Sequence, residues 1–91
     1  MYYFYVLQSL KDRSFYLGQT QNIEKRLERH NKGRSRYTKK KAPWIIVYSE
    51  QFETRIEAQK REAEVKAKKD RAYIENLIKS KDGSEPKGPG A

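Results

Sequence analysis

The sequence predicts an α+β fold: a small three-stranded sheet, antiparallel or mixed, of strand order 2-1-3, flanked by helices in the order β-β-α-β-α-α. Three observations carry this reading. Aromatic and β-branched runs at residues 2–7 and 15–17 flank a polar stretch at 9–14, the pattern of a hairpin. A third run, Trp44-Ile45-Ile46-Val47-Tyr48, is the strongest strand signal in the chain. Helix-start signals stand at Asn22 and Thr54. A strand-helix-strand return from the second strand to the third prefers a right-handed crossover and places the third strand beside the first.

In chain order, the first two strands pair antiparallel, with facing residues whose numbers sum to about 21, by the hairpin spacing. Tyr5 is then expected opposite Tyr16, on one face. Gly18 weakens the second strand and marks a close backbone or ligand approach. Asn22 caps a helix over residues 23–31, and Gly33 stops it. Residues 32–42 read as a basic loop, and Pro43 introduces the third strand, whose unbroken apolar run implies cover on both faces or one face and a ligand groove. Thr54 and Glu57 form a capping box for a helix to about residue 69. Asp70 caps a shorter helix with the stripe Tyr73, Ile74, Leu77 and Ile78. Glycine, proline and charge dominate residues 81–91, so the expected division is a domain at 1–80 and a disordered tail.

With 91 residues there is room for one domain with a small core. The absence of cysteine excludes disulfides, thiolate metal sites and cysteine nucleophiles, and suits a reducing cytoplasm. No apolar stretch approaches the ~20 residues that span a bilayer, and residues 1–7 read as a strand rather than a signal peptide. Net charge is +9. Residues 25–41 hold nine basic side chains against Glu28 alone, a local +8. Such a concentrated field attracts polyanions, nucleic acid first. The weaker alternative is a generic basic surface suited to solubility or to acidic lipid.

Some polar residues sit where a purely structural face would be apolar. Ile23, Arg26, Leu27 and His30 share one face of the first helix. Arg26 and His30 are one turn apart there, as functional groups or as a snorkelling arginine and a histidine at a helix C-terminus. Ala58, Glu62 and Val65 share a face of the next helix, with Glu62 either a metal ligand or the partner of Lys66.

In order, Phe4-Tyr5-Val6, Tyr16-Leu17-Gly18-Gln19-Thr20, Ile23-x-x-Arg26-x-x-x-His30-Asn31, a basic segment ending in Tyr37-Thr38, and Ala58-x-x-x-Glu62-x-x-x-Lys66 resemble the GIY-YIG nuclease superfamily. The resemblance covers residues 2–78 and is nearest to the small stand-alone bacterial members and to the N-terminal nuclease domain found in the excinuclease. Phe4 stands where the family pattern has glycine, as in other stand-alone members, and Leu17 replaces isoleucine.

The resemblance implies a metal-dependent endonuclease acting on DNA in repair or processing. One divalent cation, magnesium or manganese, would be held by Glu62, since magnesium often takes only one or two carboxylates and keeps its waters. Arg26 would neutralise charge on the phosphate. Tyr16 would be the general base, though an ordinary phenol titrates near ~10 and needs help from His30, Arg26 and the metal. Tyr5 would position the water, and Asn76 is a possible accessory residue. A covalent tyrosine route is the other chemistry open to Tyr16. Lys32, Arg34, Arg36, Tyr37, Lys39, Lys40 and Lys41 would contact the backbone of DNA, with RNA also possible. The expected protein is cytoplasmic, off the membrane, and a monomer or weak homodimer. The alternatives are a non-catalytic nucleic-acid-binding module of the same fold, and a recruitment protein whose basic loop docks an acidic partner.

Overall fold

Alternation along a single strand organises the molecule. A computed structural model describes residues 1–34 and 36–82, apart from the side chains of Tyr37, Lys81 and Asp82. Strand β1 (Tyr2–Ser9) lies between β2 (Phe15–Thr20) and β3 (Trp44–Phe52), antiparallel to both, in the order β2-β1-β3. Helices α1 (Ile23–Asn31), α2 (Arg36–Lys39), α3 (Arg55–Lys68) and α4 (Arg71–Asp82) complete the domain. The expected order of strands and long helices is therefore observed, with a fully antiparallel sheet. Helix α4 carries on two residues past the expected boundary at 80, and residues 83–91 of the expected tail lie outside the described residues.

Phe4, Tyr5, Val6 and Leu7 are all at most 1% exposed, so β1 is covered on both sides. Each such side chain contributes roughly 1.5–3 kcal/mol by burial. Phe4 and Val6 join Tyr48 and Val65 on one face, where Tyr73, Ile74, Leu77 and Ile78 of α4 pack as the stripe predicts. Tyr5 and Leu7 join Trp44 on the other face, against Ile23 and Leu27 of α1. A bulge opposite Val6 and Leu7 shifts β3 from Tyr48 to Ile46. Trp44 and Ile46 consequently serve the α1 face while Tyr48 and Phe52 serve the α4 face.

Two expectations about β3 and β2 are corrected. The strand fully covered on both faces is β1; β3, an edge strand with Ile45 39% exposed, also contributes to both core clusters but is only partly covered. Its hydrogen-bonding ladder also outlasts its apolar run, reaching Phe52 because Tyr2 remains there to pair. The β1–β2 register has facing residues summing to 23, so Tyr5 faces Gly18, and Tyr16 faces Leu7. A shift of two keeps every side chain on its face, so Tyr5 and Tyr16 remain diagonal neighbours.

The cause lies at both ends of the pairing. Ser9 Oγ accepts from the amides of Lys11 and Asp12, Asp12 caps Ser14, and Arg13 takes a left-handed φ of 68°, winding a tight turn directly onto Phe15. At the other end a Cβ on residue 18 would meet Tyr5 Oη at 2.6 Å, so only glycine admits the phenol. The close approach anticipated at Gly18 is thus a side chain of the same protein.

The helix ends follow their signals. Asn22 accepts from Lys25 N at 3.0 Å, Gly33 has a φ of +75°, and Thr54 and Glu57 close a capping box. Asp70 accepts from the amide of Ala72, and the preceding Lys69 breaks the helix in the left-handed region. Residues 32–42 are not simply a loop. They contain α2, because Thr38 is pulled fully into the interior by His30 and Trp44.

Candidate active site

The α1 face of the sheet carries an unusual core, built from groups that prefer water. Tyr5 is 1% exposed, His30 is 2% exposed and Thr38 is fully buried. Burial of such groups is tolerated only when they bond to one another. Tyr5 Oη lies 3.5 Å from His30 Nε2, a long contact, and His30 Nδ1 lies 2.7 Å from Thr38 Oγ1. The Trp44 indole donates to the Thr38 carbonyl at 2.9 Å. Asn31, next to His30 in sequence, donates to the Trp44 carbonyl at 3.0 Å and accepts from its amide. The chain from β1 through α1 and α2 to β3 is thereby continuous.

Tyr16 covers this chain from the outside. Its ring lies 4.7 Å from His30, 6.4 Å from Tyr5 and 6.3 Å from Trp44, centroid to centroid. Such tilted and edge contacts suit aromatic pairs. Tyr16 is half-buried, whereas Tyr5 is sealed beneath it. The two phenols therefore occupy different environments even though they share a face.

Electrostatics sharpen the difference. Burial pushes the Tyr5 phenol up to about 12, with the nearby Tyr16 and Glu62 adding to the rise and Arg26 opposing it. Tyr5 is accordingly a neutral phenol near neutrality. His30 is pushed below its usual range, first by burial and then by the charges of Arg26 and Arg29. A neutral imidazole carries one N–H, so it donates one of its two bonds and accepts the other. A helix C-terminus by itself favours a charged histidine; here burial against Thr38 and the two nearby arginines act in the opposite direction.

Arg26, on the same face of α1, acts on the Tyr5 hydroxyl and opposes the rise of its pKa. Glu62 reaches the group from α3: its charge acts on the Tyr5 hydroxyl, and its side chain is 21% exposed. It also pairs with Lys66 at 2.6 Å, as the bland expectation for this spacing holds. Lys66, Phe15, Tyr16 and Leu17 line a shallow groove of about 340 Å³ around the outer edge of β2. Tyr5, Tyr16, Arg26 and His30 are thus brought together, with Glu62 at their margin. Tyr5 is sealed, with its hydroxyl set against His30.

Asn76 is not brought there. It is exposed on α4, whose apolar stripe packs on the opposite face of the sheet. Among the loop cations, Arg34, Arg36, Lys39 and Lys40 are exposed. Lys32 pairs with Glu28 at 3.0 Å. Lys41 pairs with Asp12 at 3.5 Å and its carbonyl accepts from Ser9 at 2.6 Å, which makes it a brace for the hairpin turn. The Tyr37 side chain lies outside the described residues. Thr38 and Trp44 were missed as parts of the site; the one signal for Thr38 was its place at the end of the Tyr37-Thr38 pair.

Comparison with known proteins agrees with this fold. The description "GIY-YIG catalytic domain" matches residues 1–84. The UPF0213 protein YazA of Bacillus subtilis is 37% identical over 92 residues, spanning 97% of this chain and 92% of that one. A UPF0213 protein of Staphylococcus haemolyticus is 42% identical over 66 residues, 71% of this chain and 79% of its own. The solution NMR structure of a UPF0213 protein from Bacillus halodurans superimposes with a TM-score of 0.53 at 34% identity, covering 86% of this chain and 83% of that one. No helix among the described residues is long and apolar enough to cross a membrane. The ordered motifs, the 2-1-3 sheet and the full-length match together place this chain in the GIY-YIG family of nuclease-type catalytic domains.

Proposed function

We propose that this protein is a metal-dependent endonuclease that hydrolyses phosphodiester bonds in DNA, in repair or processing. One observation carries the reading: a single buried hydroxyl, that of Tyr5, is where groups from β1, β2, α1 and α3 converge, with Tyr16, His30, Arg26 and Glu62 all acting on it. Structural cores rarely spend two phenols, an imidazole, a guanidinium and a carboxylate on one spot.

Within that reading the roles divide by exposure. Tyr16, at the rim, takes the proton of the attacking water as general base, a step worth ~10²–10⁴-fold. Arg26 accepts the charge that grows on the phosphate oxygens, its planar fork matching two of them. The phosphorus–3′ oxygen bond breaks, and the leaving oxygen takes up a proton. Tyr5 and His30 hold Arg26 and the Tyr16 ring in place, and Thr38 fixes the imidazole.

Glu62 fits a single-carboxylate, water-rich cation site, because it is partly exposed and its partner Lys66 is 55% exposed and can turn to solvent. A magnesium or manganese ion held there would polarise the scissile phosphate and stabilise the leaving oxygen. The test is magnesium-titrated cleavage of labelled DNA by wild type and Glu62→Gln. The expected result is a loss of about 10²–10³-fold, the scale of removing one charge-stabilising contact, with an unchanged melting curve. Undiminished cleavage by the variant would falsify the assignment.

The Glu62–Lys66 pair favours a second reading, a DNA-binding module in which lysine occupies the carboxylate permanently. That reading expects tight binding by wild type, no cleavage at any magnesium concentration, and indifference to Glu62→Gln.

A further inference from the structure

A second group of cations gathers outside the 32–41 segment. A cavity of about 370 Å³ opens beside Arg26, lined by Lys25, Arg26, Arg29, Arg55, Gln19 and Gln21 among others. Its cations come from two helices, and the neutral lining comes from β2 and the turn after it. Among the described residues no carboxylate lines it. By contrast, the neighbouring basin of Lys25, Glu28, Arg29, Lys32 and Arg34 has its own acid, already paired with Lys32.

Two of these cations also stand where helix stability argues against them. Lys25 is in the first turn of α1 and Arg55 opens α3. The N-terminal turn of a helix favours anions and disfavours cations. Arg55 is exposed, and its guanidinium stacks on the Tyr2 ring at 5.3 Å, an arrangement that holds the fork in place without neutralising it. Like charges gathered around an open cavity repel one another, and an anion in that cavity removes the repulsion.

We propose that this cavity is a backbone-phosphate subsite, in which Lys25, Arg29 and Arg55 hold the DNA phosphate next to the one that Arg26 meets. The inference rests on the nuclease reading, because Arg26 belongs to both the cavity and the candidate active site. It gives that site a direction: the strand enters between the start of α1 and the start of α3, and the amides of Gln19 and Gln21 offer hydrogen bonds to its oxygens. Contacts of this kind carry register rather than sequence.

The experiment measures binding without cleavage. Fluorescence anisotropy of a short labelled DNA duplex is followed in EDTA across a salt series, for wild type, Lys25→Glu/Arg55→Glu and the control Lys60→Glu/Lys79→Glu. Both variants change net charge equally, and the control residues are exposed on α3 and α4. The expected result is at least about tenfold weaker binding for the cavity variant, with the slope of log affinity against log salt shallower by about 0.9 for each phosphate that is no longer held. The control should stay close to wild type. Equal losses in both variants would mean that overall charge is responsible and would overturn the proposal, as would wild-type binding by the cavity variant. If charge reversal impairs folding by circular dichroism, Lys25→Gln/Arg55→Gln is measured against Lys60→Gln/Lys79→Gln with the same criteria. A wild type that binds through this cavity but never cleaves would sink the nuclease reading and leave the phosphate subsite standing.

Discussion

The two faces of the sheet are built from the same strand and solve opposite problems. On the α4 side, Phe4 and Val6 pack with Tyr48, Val65 and the stripe of α4, and the Phe4 and Tyr48 rings meet edge to face at 6.2 Å. A polar network on that side, Tyr48, Glu50 and Arg61, is strapped at its border: Arg61 grips Glu50 with two nitrogens, and the Tyr48 hydroxyl donates to the same carboxylate. On the α1 side the neighbours in sequence, Tyr5 and Leu7, look onto a histidine, a threonine and an arginine. One face supplies stability from apolar area, and the other holds buried polar side chains against one another. Alternation allows both in so short a chain, because each step along β1 changes the face served.

The comparison breaks most visibly at Phe4. Phe4→Ala should lower unfolding free energy by about 3–5 kcal/mol, the range for a fully buried phenylalanine, measured by urea denaturation. The folded fraction should cleave DNA at the wild-type rate, because the ring faces away from Tyr16. A specific-activity loss in fully folded protein would mean that the faces are coupled. Arg61→Ala comes next, at about 1–3 kcal/mol, since it leaves the Glu50 carboxylate and the Tyr48 hydroxyl partly buried without their clamp. Activity should again be unaffected per folded molecule.

The α1 face makes its own prediction in pH. His30 has a folded pKa below its usual value of 6.5. A base held neutral by the fold contributes stability that is complete above the unfolded value and is lost as pH falls through the folded one. Stability should therefore decline on acidification from about 6.5 downward. His30→Gln should flatten that decline, although it costs stability at neutral pH; an identical pH slope in the variant would remove the neutral buried imidazole from the account. On the alkaline side, Tyr5 and Tyr48 should ionise late, near about 12, in a tyrosinate absorbance titration, and Tyr5→Phe should delete one late step. The smallest effect is expected for Lys66→Ala. Its exposed ammonium contributes only ~0–1 kcal/mol, yet its loss should tighten magnesium binding at Glu62.

Much of this could be read from the chain, and what could not has a common cause. Strands, capped helices and the 2-1-3 order follow from local periodicity and end signals, as at Asn22, Thr54 and Gly33. Gathering of Tyr5, Tyr16, Arg26 and His30 was legible because strand alternation and helical spacing put each on a definable face. Three features depend on contacts that periodicity does not show. The register hinges on how Ser9 and Arg13 wind the turn and on Tyr5 filling the space above Gly18. Helix α2 forms because Thr38 is captured by residues eight behind and six ahead. The cavity at Arg55 joins the starts of two helices separated by a strand, so a charge count along residues 25–41 includes Lys25, Arg26 and Arg29 but cannot show that Arg55 joins them. Periodicity reports which way a side chain points, not what it meets.

The most direct measurement is metal-dependent cleavage by Tyr16→Phe, compared with wild type at matched folded fraction. The substitution removes one oxygen and keeps the ring that packs on His30 and Trp44. A fall of about 10²–10⁴-fold, the scale of a lost general base, with unchanged DNA binding is the predicted result. Cleavage at the wild-type rate would show that the outer phenol only packs, and would contradict its assignment as the general base.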